Sequence, residues 1–279
     1  MNGAATRAAV VVPIGELGEY PRSDSVEILM SLSVPCWHGD PMTSTGGSAG
    51  EPAEGPWAGE AIVIACAIVA LLPLGFLHLS SIGSIDPMTD VISDYVFLPG
   101  GYALLGTAAI SLAVGCIALA TGLRRAGLPH PRVPAALFVS AAVAFVLVAV
   151  FPTHPVGATP GVVSTVHRAA GAWAFAVMPL AAWLVARRAW SAEAWAPAAP
   201  ALSWGAAVAG VVSAFFLLNH VPIVIAGSPV FPLIGGVQRV LCAAVMVVLV
   251  MTARATRLAV DRVDCAGPVP VPRQLRGAA

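Results

Sequence analysis

The sequence predicts an all-α integral membrane protein: a six-transmembrane-helix bundle with disordered N- and C-terminal tails. Three observations predict it. Of the 279 residues, 58% are hydrophobic and only 10% are charged, whereas a soluble domain has about 25% charged residues. Six apolar runs are each long enough to cross roughly 30 Å of hydrocarbon at about 1.5 Å per residue. Arginines collect on alternate connections, as the positive-inside rule requires of a multi-pass chain. Net charge is zero, so no basic surface points to nucleic acid, and membrane lipid is the partner that composition implies.

Residues 1–57 are rich in Gly, Pro, Ser and acidic side chains, with one short apolar run from Ala8 to Ile14. That run is at the lower edge of a signal-peptide core, and no small-residue cleavage site follows it closely, so a disordered cytoplasmic extension is expected. Met1, Met30 and Met42 are alternative starts. The six spans fall near 60–80, 101–123, 133–151, 165–186, 203–226 and 234–254, placing the transmembrane domain at 58–256 and a disordered cytoplasmic tail at 257–279. Pro73 and Pro222 remove backbone hydrogen bonds inside spans one and five. Ala206, Gly210 and Ala214 repeat small residues along span five and let a neighbouring helix approach. Five cysteines show no metal-ligand spacing, and no structural disulfide is expected.

Orientation follows from Arg placement. Arg124, Arg125, Arg132, Arg187, Arg188, Arg254, Arg257, Arg262, Arg273 and Arg276 lie on one side, and only Arg168 and Arg239 lie near the other. Both termini are therefore expected in the cytoplasm of a cell-membrane protein, and the remaining polar residues face outward.

That outer end carries nearly all the chemistry. Asp86 followed by Pro87 reads as a helix N-cap and first residue, after which Asp86, Asp90 and Asp94 would form one acidic stripe. A solvated surface helix is the plain alternative. Pro152 and Pro155 bracket His154 and stiffen it. His167 and Arg168 stand about 100° apart on span four, so both cannot face lipid. Asn219-His220 and Gln238-Arg239 lie at matching depth on adjacent spans and are expected to meet, because either pair alone would lack partners. His78 joins the same layer.

Ile92-Ser93-Asp94 after the first span, Phe151-Pro152 after the third, His167 opening the fourth and Gln238-Arg239 opening the sixth resemble the pattern of domain-of-unknown-function family 998. The resemblance covers about residues 60–255. It implies a bacterial or archaeal six-span membrane protein and a set of candidate residues, but no activity. Such proteins often carry Asp where this chain has His154, so the resemblance gives that position no role.

Four readings of the outer end are open. A metal-dependent or acid–base hydrolase acting on a lipid would take its catalytic groups from Asp90, Asp94, His167 and His220. Metal ligands would come from His154, His167, His220 and Asp94. In any ligand-binding reading, Arg168, Asn219, Gln238 and Arg239 would hold a lipid or small molecule, the arginines by forked hydrogen bonds to phosphate. A transporter or proton relay would use the same ionisable groups, although nothing charged lies near the midplane. A b-type haem would need His167 opposite His220. In a purely structural lid, the acids would neutralise Arg168 and Arg239. The sequence requires no cofactor.

Overall fold

The computed structural model describes residues 58–155, 158–159, 161–226 and 231–266. All of them belong to the second of two compact units, Thr45–Ala279. The expected extension at 1–57 lies outside the described residues. Among the described residues, six helices are long and apolar enough to cross a membrane: α1 Gly59–Ser80, α2 Gly101–Arg125, α3 Arg132–Val150, α4 Val162–Ala189, α5 Ala199–Ala226 and α6 Ile234–Ala266. A 3-10 segment, Ile92–Phe97, sits between α1 and α2. All six expected spans are present.

Each helix packs on the next in chain order. α6 closes the ring on α1 and also touches α2 and α4. This alternation brings the C-terminal ends of α1, α3 and α5 together with the N-terminal ends of α2, α4 and α6, here called the polar end. The opposite, arginine end is more tightly filled: Leu119, Leu123, Phe138, Val185, Trp195 and Leu249 are fully buried. The Trp195 indole N–H donates to the Ala126 carbonyl at 2.8 Å, so burying this large ring leaves no donor unsatisfied. Side chains such as Leu72, Leu79, Val211, Leu218 and Ile225 stay exposed on the outer faces, where bilayer lipid would meet them.

Two expectations are corrected. The last helix continues past the boundary at 256 to Ala266, where a disordered tail was expected. Arg257 and Asp261 pair one turn apart at 3.0 Å, and the Arg262 guanidinium donates to the Ala194 carbonyl at 2.7 Å. Such polar contacts extend a helix beyond the point where hydropathy stops marking it. The close-packed seam of α5 is formed by Ala206, Ala209 and Ser213, with Gly210 against Pro179, while Ala214 is exposed. Cys66, Cys116 and Cys242 are free thiols.

Pro73, Pro179 and Pro222 all lie inside helices. A proline deprives the carbonyl four residues earlier of its helical donor, and at Pro179 that carbonyl belongs to Phe175. The Ser213 hydroxyl of α5 donates to it at 2.6 Å. A break in the α4 ladder is thus mended by its neighbour, which fixes the register of α4 against α5.

Candidate functional site

At the polar end, the connection between α1 and α2 folds down onto the first turns of α6. It opens with tight turns over Ser81–Ile85, then makes one helical turn in which the Asp90 amide donates to the Asp86 carbonyl at 2.8 Å. Asp86 acts as a cap, its Oδ1 accepting the Met88 N–H at 2.9 Å. Asp90 Oδ2 accepts the Asp86 N–H at 2.9 Å, and Asp94 Oδ2 accepts the Val91 N–H at 3.1 Å. Val91 is extended (φ −80°, ψ 157°) and ends the turn before the 3-10 segment begins. The three acids therefore do not form one helical stripe. Each is used to satisfy local amides, the usual preference of short carboxylate side chains in turns.

Arg239 is the hub of this docking. Its Nη1 donates to the carbonyls of Pro87 and Asp90, both at 2.7 Å. Nη2 donates to the Tyr95 hydroxyl at 2.8 Å, and the guanidinium lies 5.5 Å from the Tyr95 ring centroid. With Arg239 donating to its oxygen, the buried Tyr95 can direct its own hydrogen to His78 Nδ1, which is 2.8 Å away. Next to Arg239, Gln238 Oε1 accepts the Ile92 N–H at 2.6 Å, and the Gly236 N–H donates to the Met88 carbonyl at 3.1 Å. Gly235 permits the approach, since a Cβ at that position would overlap the Asp90 and Pro87 carbonyl oxygens. Among the described residues, no carboxylate oxygen lies within 4.0 Å of an Arg239 or Arg168 nitrogen. The expected direct pairing of the acids with these arginines is absent, although the Arg239 charge still acts on Asp94.

Asn219 and His220 do not meet Gln238 and Arg239. The Asn219 amide donates to the Phe215 carbonyl of its own helix at 2.7 Å. The His220 ring stacks on Phe216, with centroids 5.2 Å apart and planes at 13°. Its Nδ1 is buried without a hydrogen-bond partner.

His154 and Arg168 approach each other, with Arg168 Nη2 3.4 Å from His154 Nδ1. Burial first and then the Arg168 charge hold the His154 imidazole below its ordinary pKa, so the neutral ring accepts this bond. His167 turns the other way. Its Nδ1 is 2.7 Å from the Phe151 carbonyl, with the Val148 carbonyl also close, which fixes the proton on Nδ1 and leaves the lone pair on Nε2. The metal candidates Asp94, His154, His167 and His220 thus have separate partners. Among the described residues, no three His, Cys, Asp or Glu side chains converge to hold a metal ion.

Below this polar layer lies a cavity of about 150 Å³ between α1, α2, α3, α4 and α6, roofed by Ile92, Ser93 and Val96 of the 3-10 segment. Its walls are mostly apolar, including Leu112, Phe145 and Met246. His167, Gln238, Ser93 and Tyr102 supply the polar atoms. Along α2 the lining runs from Tyr102 to Leu112, about 15 Å at the helical rise. Sequence reasoning marked His167 and Gln238 but missed Ser93, Tyr95, Gly235 and the cavity itself. The Ile92-Ser93-Asp94 motif was the available signal, since its middle residue faces the void.

Asp94 gives the site a pH dependence. Burial raises its pKa above the ordinary value; the Val91 amide and the Arg239 charge oppose the rise, and Asp90 adds to it. The folded state therefore holds this proton more tightly than the unfolded chain does. The group's stabilising contribution is complete in acid below its unfolded value and is lost as pH rises through the raised value. Asp94→Asn keeps an acceptor for the Val91 amide and removes the charge. Its thermal midpoint is expected to match or exceed that of the parent at pH 7, with the advantage gone at about pH 4. A clear loss of stability at pH 7 would contradict this account.

Neither the curated proteins nor the solved structures contain a match to the chain. A family model does match residues 64–255, most of the sequence and nearly the whole bundle. The chain belongs to the family described as protein of unknown function DUF998.

Proposed function

We propose that this membrane protein binds a single-chain amphiphile, its apolar segment in the cavity and its polar group against Gln238, His167 and Ser93. The polar end faces outward, and both termini lie in the cytoplasm of the cell membrane. The arginine distribution supports that orientation: Arg124, Arg125, Arg132, Arg187, Arg188, Arg254, Arg257 and Arg262 all belong to the arginine end.

The cavity carries the binding reading. A void of about 150 Å³ is large enough for a benzene-sized molecule. The cavity here is of that size and lies within the bundle. It holds a segment of one chain rather than a diacyl lipid. Its polar atoms offer complementary chemistry: Gln238 has spent its carbonyl oxygen on Ile92 and keeps its amide N–H groups. The Ser93 hydroxyl makes no hydrogen bond among the described residues, and His167 presents a lone pair at Nε2. A hydroxyl or carboxyl head group matches this mixture of donors and acceptors.

Gly171 lines the cavity, and a Cβ there would meet only the Val148 side chain at 4.0 Å. Gly171→Leu therefore fills the void without displacing backbone. With dodecanol near one hundred times its dissociation constant, the parent protein in nanodiscs is expected to gain about 2.7 kcal/mol, or roughly 5–10 °C in thermal midpoint. The Leu variant loses this shift while remaining as stable as the empty parent. A parent protein with no shift and no retained chain by native mass spectrometry would exclude the reading.

A further inference from the structure

The two arginines of the polar end have opposite fates. Arg239 spends its donors on three acceptors at 2.7–2.8 Å. Arg168 has only two long contacts, Nε to the Ser164 carbonyl and Nη2 to His154, both at 3.4 Å. Its Nη1 makes no hydrogen bond among the described residues. Charge-assisted bonds normally settle at about 2.7–2.9 Å, so this guanidinium is held in place without being satisfied.

Its surroundings are nitrogen-rich, and among the described residues no carboxylate pairs with it. The Arg168 charge reaches His154, His167 and His220. His167 is turned to Phe151, which leaves His154 and His220 as the other polar groups of the cluster. His154 is stiffened by Pro152 and Pro155. His220 is fixed by its stack on Phe216 and carries a buried Nδ1 with no partner. A buried polar nitrogen left unpaired normally costs free energy, and this one lies within electrostatic reach of the underused Arg168. Arg168 itself lies within the first two turns of α4, the positive end of that helix dipole. Cations are disfavoured there unless an anion joins them.

We propose that Arg168, His154 and His220 form a binding site for a phosphate group, the headgroup phosphate of an anionic phospholipid. The site is separate from the amphiphile cavity, because Arg168 and His167 project about 100° apart from α4, and it does not depend on that reading. Arg168 lies within two turns of the end of α4 that belongs to the polar end, and the outer faces of these helices are apolar. Arg168 supplies Nη1 and, by a small rotation, Nη2 as a fork to two phosphate oxygens. His154 and His220 donate to the remaining oxygens once each carries a proton on the facing nitrogen.

Binding of phosphatidylglycerol to the full chain in phosphatidylcholine nanodiscs tests this, with inorganic phosphate in a parallel arm at fixed ionic strength. Saturable phosphatidylglycerol binding is expected, weakened at least tenfold in Arg168→Gln and only partly restored in Arg168→Lys, which lacks the fork. His220→Phe keeps the stack but removes the nitrogen, so it is expected to weaken binding without lowering the thermal midpoint. Arg187→Gln at the arginine end controls for general charge and should leave binding unchanged. Inorganic phosphate is expected to compete only weakly; if it competes fully at millimolar levels, the lipid assignment falls. Binding unaffected by Arg168→Gln, or equally reduced by Arg187→Gln, would overturn the site itself.

Discussion

Arg239→Ala is expected to destabilise the protein by about 3–5 kcal/mol, the range for removing one partner of a buried charged network. The residue closes three bonds to a connection about 150 positions away in the chain, two of them to backbone carbonyls whose own turn offers them no other donor. Each charge-assisted bond contributes roughly 1.5–3 kcal/mol, and water reaching the half-buried site recovers part of the loss. Arg239→Lys keeps the charge, but an ammonium group cannot bridge two carbonyls and a phenol while also stacking over Tyr95. It should recover less than half of the difference. Thermal unfolding in detergent measures the size of the effect, and hydrogen exchange over residues 81–97 measures its location. An unchanged midpoint with that segment still protected would show that Arg239 is not the clamp.

The contrast between what could be read from the sequence and what could not is clearest at this clamp. Six spans were legible because burial in hydrocarbon demands about 20 apolar residues in a row, and no other fold imposes that pattern. Their packing partners were not. Asn219-His220 and Gln238-Arg239 share a depth, but depth alone does not say which way a helix is rotated. The rotation of α6 is set by its packing on α5, α1, α2 and α4 together, and it aims Arg239 at Pro87 and Asp90 instead of at Asn219 and His220. The acids were misassigned for a related reason. Charge complementarity suggested Asp-to-Arg pairs, yet turn amides next in sequence are reached at far less entropic cost than a guanidinium across the bundle.

The cavity was illegible because a void is a property of several helices at once. Gly106, Ala108, Ala109, Gly171 and Ala174 line it, and in sequence each looks like an ordinary small residue that lets helices approach. Only in the bundle do they stand opposite one another and leave space. This links the clamp to the proposed ligand. The 3-10 segment that roofs the cavity with Ile92, Ser93 and Val96 is held in place by Gln238 and Arg239. Stability of the polar end and occupancy of the cavity should therefore vary together.

Gly235→Ala provides the sharpest test of that link. The added Cβ would overlap the Asp90 and Pro87 carbonyl oxygens, which are backbone and cannot swing aside as a side chain can. The turn must lift from α6, lengthening both carbonyl bonds to Arg239 and the Gly236-to-Met88 bond. Overpacking of this kind costs about 1–3 kcal/mol before any lost hydrogen bond is counted, so a total near that of Arg239→Ala is expected. Because the two substitutions act on the same contact, the double variant should fall well short of their sum. Gly236→Ala is the milder comparison, since its Cβ would press only on the flexible Met88 side chain at 3.1 Å. Dodecanol binding should weaken in Gly235→Ala although residue 235 does not line the cavity, because the roof has moved. Additive effects of Gly235→Ala and Arg239→Ala, or full dodecanol affinity in the Gly235 variant, would separate the clamp from the cavity.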